Sequence, residues 1–503
     1  MSTLLWLRRD LRLHDNPALN EAIRSGSSRA VYISTPEQWK QHHLSPIQAD
    51  FIERHLNSLI KPLAKLGIEL VHLKATDFAS QQKILEQYCQ ENEIDTVFAN
   101  REPETNERRR DAAIASGCLT LKIFDCDTIV PVGRLLTKND QMFKVFTPFK
   151  RAWLKYVHQF GIDVARFTHP KASPEHSALE QNALEQSSNV DSPVLAKKTL
   201  EKAVLEKEGG EEIAFDYPTS DSSHWPLSWS VLNTEFPEFI EDKLHAYGNQ
   251  RDFPAIDGTS KLSPYLAIGA ISPRMVASTL LQSEPELTIN HELSSFSWLN
   301  ELIWRDFYKH LIFHFPGLVT GASFQEKYQQ LPWSHDRELF QAWCEGRTGY
   351  PLVDAAMKQL VQTGWMHNRL RMVVASFLTK HLLIDWKMGE QFFMSKLIDG
   401  DFSANNGGWQ WAASTGCDAQ PYFRIFNPIT QSERFDPNGE FIRIYLPELK
   451  YVPSKHIHFP HQYLELNGQT DLYCAPIVVH KDARQRALAF FKQPPLNGIN
   501  GNE

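Results

Sequence analysis

The chain has 503 residues, 42% of them apolar, and a formal net charge of −8, enough for two or three packed domains and too acidic overall for a protein that merely coats nucleic acid. No apolar run approaches the ~18 residues of a membrane span and no opening stretch reads as a secretion signal, so a cytoplasmic protein is expected. The six cysteines (Cys89, Cys118, Cys126, Cys344, Cys417, Cys474) form no C-x-x-C pair, which excludes a disulfide framework and a zinc site and predicts reduced thiols without a metal.

Residues 1–130 alternate β-branched or leucine-rich runs (TLLWL, RAVYIS, IELVHL, TVFAN, LTLKIFD) with helical segments such as SPIQADFIERHLNSLIKPLAKLG. This alternation predicts a five-stranded parallel α/β sheet of Rossmann-like type. Asp15-Asn16-Pro17 and Ser45-Pro46 mark helix starts, a capping side chain ahead of a proline at the first helical position. The turn after the first strand reads RRDLRLHDN; it lacks the glycine fingerprint of a dinucleotide site, so this layer takes a different ligand or none. Residues 131–212 form a connector with one helix, TPFKRAWLKYVHQF, and a polar insertion, 171–212, carrying five Lys against nine Asp and Glu. That composition predicts mobile surface. From 213 to 490, patterns such as SFSWLNELIWRDFYKHLIFHF and YPLVDAAMKQLVQTGWMHNRLRMVVASFLTKHLLIDW predict a mainly α-helical domain, with 491–503 as a short tail.

Eight of the 13 tryptophans lie between 295 and 435. In WLNELIWRDFY, Trp298, Glu301, Arg305 and Tyr308 share one helical face, with Trp304 beside Tyr308. Either Glu301 and Arg305 pair at i,i+4 within an aromatic core, or they line a site, because an unpaired buried charge costs several kcal/mol. Asn368 and Met372 are four apart and face one way while Arg371 points elsewhere; an amide and a thioether on one stripe suit a flat ring with a polar edge, or plain core. In DGDFSANNGGWQWAASTG (399–416), Asp399 and Asp401 either cap the turn that follows or act as acid and base. Asn406-Gly407-Gly408 reads as a chain reversal against which something flat could sit. There is no G-x-S-x-G elbow, H-E-x-x-H helix or Walker loop, which removes the commonest hydrolase and kinase readings.

GTSKLSPYLAIGAISPR (258–274), WLNELIWRDFY, GYPLVDAAMKQLVQTGWMHNRLRM (349–372) and DGDFSANNGGWQWAASTG, with LWLRRDLRLHDNPAL, TPEQW and TNERRRD near the start, resemble in order the signature blocks of the photolyase/cryptochrome family. The likeness is greatest to bacterial class I cyclobutane pyrimidine dimer photolyases and runs through nearly the whole chain except 171–212. The resemblance implies an N-terminal α/β antenna domain and a helical domain holding FAD in a folded conformation. It implies that Tyr247 and the run Thr259, Ser260, Lys261, Leu262 and Ser263 hold the phosphates, and that Trp298 and Arg305 also bind the cofactor. Asp399, Gly400 and Asp401 would lie by the ribityl and flavin edge, Arg371 would pair with Asp399, and Asn405 would face the flavin N5. Trp409, Trp386 and Trp333 match a relay of tryptophans from flavin to surface. Glu301, Trp304, Tyr308, Asn368, Arg369, Met372 and Trp411 would take the flipped lesion, with Arg251 and Gln431 on DNA phosphates.

The implied activity is light-dependent repair of UV-damaged DNA, single- or double-stranded, by a monomer that meets the nucleoid when bound to damage. Excited FADH⁻ would donate one electron to the dimer and recover it after the ring opens. Asn368 and Met372 stand where relatives acting on (6-4) photoproducts present histidines, which favours the cyclobutane dimer. The alternative is a blue-light-sensing cryptochrome without repair activity, which usually carries a long C-terminal extension; a flavin oxidase is a third reading. Asn106, Glu107 and His42 match folate-binding positions, implying 5,10-methenyltetrahydrofolate as antenna, although Thr320 stands where folate-binding relatives present a lysine.

Overall fold

The structure, a computed structural model, describes residues 2–167 and 212–492; most of the acidic insertion and the tail beyond Lys492 lie outside the described residues. Five strands, β1 (Ser2–Leu7), β2 (Arg29–Ser34), β3 (Glu69–Lys74), β4 (Ile94–Asn100) and β5 (Thr120–Phe124), pair in parallel in the order β3-β2-β1-β4-β5, as the alternating pattern predicts. Leu4, Leu5, Trp6 and Leu7 of the central strand β1 are all buried. Helices cover both faces, so successive side chains both need to be apolar. The helices are α1 (Pro17–Arg24), α2 (Pro36–Gln41), α3 (Pro46–Lys65), α4 (Phe78–Glu91), α5 (Thr105–Ala115) and, in the connector, α6 (Phe146–Phe160). Asn16 and Ser45 cap α1 and α3 through their side chains, each ahead of its proline.

The strand order reverses between β1 and β4. In an open parallel sheet that switch point leaves a crevice beyond the carboxyl ends of the strands. Here it is where Arg8 and Arg9 follow β1 and where Glu102 and Glu104 follow β4.

The rest of the described residues are mainly helical, around the long helix Phe296–His314. The pattern in 350–386 does not give one helix. Gly364 at φ +70° ends Pro351–Thr363, and the chain restarts as Asn368–Ser376, runs through a π turn, and starts again as Trp386–Met394. Buried polar ties fasten the halves together. Asp306 accepts from Ile129 N and Val130 N at 3.1 Å and from Trp153 Nε1 at 2.9 Å, while Arg12 donates to Gly269 O at 2.7 Å. Gly269 sits at φ +67°, with the Arg9 carbonyl where a Cβ would go, so only glycine lets the two backbones meet there.

Candidate functional site

The segment 399–416 is not a chain reversal. Asp401 Oδ1 accepts from Ala404 N at 3.0 Å and starts the helix Phe402–Ala413, which carries Asn406, Gly407 and Gly408 in its middle. Burial of Trp409, Ala412 and Ala413 outweighs the ~1 kcal/mol helix penalty of each glycine. The two glycines do different things. At Gly407 a Cβ would run into the Tyr308 ring, whereas at Gly408 it would meet no protein atom within 4 Å. Asn405, three residues before Gly408, shares that open face. Its Nδ2 donates to the Glu390 carbonyl at 2.9 Å, which leaves its Oδ1 as a neutral acceptor.

Facing this helix, Arg371 donates to Asp399 Oδ2 at 2.7 Å and to Met366 O at 2.8 Å. Asp399 is buried, and its Oδ1 has no partner. The loop Thr259–Ser263 is held by two indoles: Trp298 Nε1 donates to Ser260 Oγ at 3.2 Å and Trp365 Nε1 to Ser263 Oγ at 3.4 Å. Lys261 sits at φ +50° and pairs with Asp257 at 2.9 Å. A left-handed lysine is strained, and strain of this kind gathers where backbone must approach a ligand. Leu262 is buried and Gly400 half-buried beneath these groups. Tyr247 is buried with the Arg251 guanidinium 5.3 Å from its ring centroid. Burial and the Glu301 carboxylate hold its hydroxyl pKa above the ordinary value.

Glu301 and Arg305 do not form the i,i+4 pair. Glu301 accepts from Arg251 Nη1 at 2.6 Å, while Arg305 reaches Asp127, whose Oδ1 lies 2.5 Å away, just after β5. Helical spacing gave both residues the right face but could not show that each has a nearer partner on another segment. Arg369 donates to Asp252 at 2.6 Å and lies over Phe435. Trp304 stacks flat on Phe146, centroids 3.5 Å apart, with Tyr308 at 5.6 Å. Asn368 is exposed, and Met372, Trp411 and Gln431 are half-buried; Gln431 Oε1 has no partner.

Trp409 is 2% exposed and Trp386 1%, whereas Trp333 is half-buried. Gly389, one turn beyond Trp386, lets the tip of Trp409 close against its helix, since a Cβ there would overlap the ring. Ser334 N donates to Leu383 O at 2.8 Å, pinning Trp333 beside the start of the Trp386 helix. Trp333 itself lies against Phe490 and Phe491.

A second space, about 570 Å³, opens between the two halves at the switch point. His42, Asn106, Glu107 and Thr320 line it together with Arg9, Glu104, Lys387 and Glu390. Burial, reinforced at Glu107 by Glu104 and Glu102, pushes the Glu107 and Glu390 carboxyls up to about 7. Asn106 lies in the first turn of α5, two residues after Glu104 at the cap position, whose side chain caps nothing.

Sequence reasoning missed the charges between the two spaces. Lys309 is 0% exposed, with Asp401 Oδ2 at 2.7 Å, Glu104 Oε1 at 3.0 Å and Asp127 Oδ2 at 3.2 Å. Arg9 meets Glu104 at 3.1 Å and Asp401 at 2.9 Å. Burial opposes ionisation of Asp401, but Lys309 and Arg9 overrule it and hold the carboxyl well below its usual range. The available signal was Arg305 and Lys309 at i,i+4, two cations on one helical face that can be buried only with acids packed against them.

Residues 3–175 match the family described as DNA photolyase, and residues 298–493 match the FAD binding domain of DNA photolyase. Over 496 residues the chain is 46% identical to the deoxyribodipyrimidine photo-lyase of Vibrio cholerae, covering 97% of this chain and 99% of that protein. The crystal structure of a class III photolyase from Agrobacterium tumefaciens superposes with a TM-score of 0.72 at 34% identity, over 97% of each chain. A Synechocystis cryptochrome superposes at 0.78 with 27% identity, over 97% of this chain and 99% of that one.

Proposed function

Because the chain belongs to the DNA photolyase family, we propose that it repairs UV-damaged DNA in light, using FAD to split cyclobutane pyrimidine dimers. The observation that carries the reading is the 46% identity to a deoxyribodipyrimidine photo-lyase over 97% of the chain. The fold is shared with a cryptochrome as well, but at lower identity, and the signalling alternative is not favoured.

The residues around the helix Phe402–Ala413 fit FAD. The partnerless Asp399 Oδ1 and the open face at Gly408 ask for a ligand with N–H donors and a flat surface, and the Ser260 and Ser263 hydroxyls with the strained Lys261 backbone suit an anionic group. Bound and reduced, FAD supplies one light-driven electron to the dimer and takes it back when the cyclobutane ring has opened.

The chain's part is positioning. Arg371 donates to Asp399 Oδ2 and keeps that side chain aimed inward. Asn405 Oδ1 accepts a ring N–H without introducing a charge. Trp409, Trp386 and Trp333, ordered from buried to half-exposed, give an oxidised flavin three successive indole donors. Glu301 receives the polar edge of the extruded dimer, and Arg251, bonded to it now, shares it with the DNA backbone. Trp411 offers a ring face for stacking. The cleft at the switch point takes 5,10-methenyltetrahydrofolate as antenna; the carboxyls of Glu107 and Glu390, pushed up to about 7, can donate when protonated as well as accept at a pterin edge, and when bound it supplies near-ultraviolet absorption.

Incubation of the reduced protein with UV-irradiated oligothymidine tests the repair reading. Blue-light-dependent loss of dimers is expected, and equal activity in the dark, or none in either condition, overturns it. A near-ultraviolet band lost on denaturation supports the folate; a spectrum of flavin alone refutes it.

A further inference from the structure

We infer that Lys309 is a positioning residue that couples the proposed flavin site beside Asp399 and Asn405 to the inter-domain cleft, so that filling that site stiffens the wall of the cleft. The inference rests on the flavin reading of that site and not on the identity of any ligand in the cleft.

Two helix starts converge on this one ammonium. Asp401 opens the helix that carries Asn405, Trp409 and Trp411; its Oδ1 caps Ala404 N while its Oδ2 takes Lys309 at 2.7 Å. Glu104 stands at the start of α5, which presents Asn106 and Glu107 to the cleft. It makes no capping bond. Its Oε1 is spent instead on Lys309 at 3.0 Å, Arg9 at 3.1 Å and Ser403 Oγ at 3.4 Å, and its Oε2 has no partner. The first turn of α5 therefore takes its support from the other half of the molecule.

Arg9 runs parallel to Lys309, touching both carboxylates, but its side chain is 31% exposed against 0% for Lys309. A pair reached by water is screened, whereas a buried one is not. The strong link is therefore Lys309, which Asp127, just after β5, also holds at 3.2 Å. Six groups close the cluster: Arg9, Arg305 and Lys309 against Glu104, Asp127 and Asp401. With charge balanced and Lys309 itself shut off from water, movement of one carboxylate must be met by the ammonium and then by the other carboxylate. Ligand that fixes 399–405 narrows the positions open to Asp401, and through Lys309 those open to Glu104. Ordering of this kind is a coupling free energy and acts in both directions.

Hydrogen exchange on the full chain, stripped of FAD and reloaded, reads the coupling in peptides covering α5, which FAD does not reach in this account. In the wild type, FAD should slow exchange in α5 by roughly fivefold or more, a typical size for coupling between sites. In Lys309→Met, FAD should still slow exchange across 399–413 but leave α5 within about twofold of its FAD-free rate. A lysine that only holds the fold together would raise α5 exchange equally with and without FAD, so the difference between the two states separates coupling from stability. If Lys309→Met does not fold, Glu104→Ala keeps the Lys309–Asp401 and Lys309–Asp127 pairs and removes the carboxylate through which Lys309, Arg9 and Ser403 reach α5, and the same loss of FAD-dependent protection is expected. Undiminished protection of α5 in the variant that folds, or none in a wild type that binds FAD, overturns the inference alone. A wild type that binds no FAD overturns the flavin reading and this inference with it.

Discussion

Alanine at the adjacent positions Gly407 and Gly408 should have opposite effects on the FAD-free protein. Both lie within the helix Phe402–Ala413, where alanine is favoured over glycine by about 0.5–1 kcal/mol. At Gly408 nothing opposes that gain, because the new methyl meets no protein atom within 4 Å. Gly408→Ala should therefore raise unfolding free energy in the absence of FAD by about 0.5–1 kcal/mol. At Gly407 the methyl would stand 2.9 Å from Tyr308 Cγ and closer still to the ring edge, against an ordinary contact of 3.4 Å or more. Tyr308 is held by Trp304 and Phe307 and cannot swing clear, so overpacking of about 1–3 kcal/mol exceeds the helical gain and Gly407→Ala should destabilise. Binding separates them again. The open space at Gly408 is, on the proposed reading, where the flavin ring lies, and the same overpacking cost should then fall on the complex, weakening FAD binding by about 5- to 150-fold. Urea unfolding of the stripped proteins and fluorescence titration with FAD measure the two effects. A Gly408→Ala protein that is less stable without FAD, or that binds FAD as tightly as the wild type, refutes the assignment of that helix face.

Asp399→Asn should weaken FAD binding by about 1.5–3 kcal/mol, the worth of a charge-assisted hydrogen bond, in a flavin titration; unchanged affinity would show that the buried carboxylate serves Arg371 alone. Trp409→Phe should abolish light-driven reduction of oxidised enzyme while leaving dimer splitting by chemically pre-reduced enzyme in place, read by flavin absorption and dimer loss respectively. The Glu390 carboxyl, pushed up to about 7 by burial, contributes stability that is complete below its ordinary pKa of ~4.5 and lost as pH rises through 7. Glu390→Gln mimics the protonated form, so its stability relative to wild type should improve by up to about 3 kcal/mol between pH 5 and pH 8; a difference that does not change with pH would mean the carboxyl titrates normally.

Local rules served well wherever a residue's neighbours in space are its neighbours in sequence. Asn16 and Ser45 cap the helices their prolines announce, and the inner strands β1, β2 and β4 form from runs that are buried on both faces because helices cover both. The same rules misread Asn406-Gly407-Gly408, where glycine marks neither a turn nor flexibility: one is empty because an aromatic ring fills its place, the other because nothing in the protein does. Helical spacing also offered a Glu301–Arg305 pair as one of two readings, although each binds an oppositely charged group from a distant segment. Lys309 makes the limit plain. On its helix it is one more cation, and its three carboxylates come from the start of α5, from just after β5 and from the start of Phe402–Ala413, some 90 to 200 residues away in sequence. Desolvating a charge is tolerable only when such partners have already been assembled by the fold. A buried ion cluster between domains is therefore a product of tertiary topology, in this case of the β1/β4 switch point, and its members become recognisable together only after the sheet order is known.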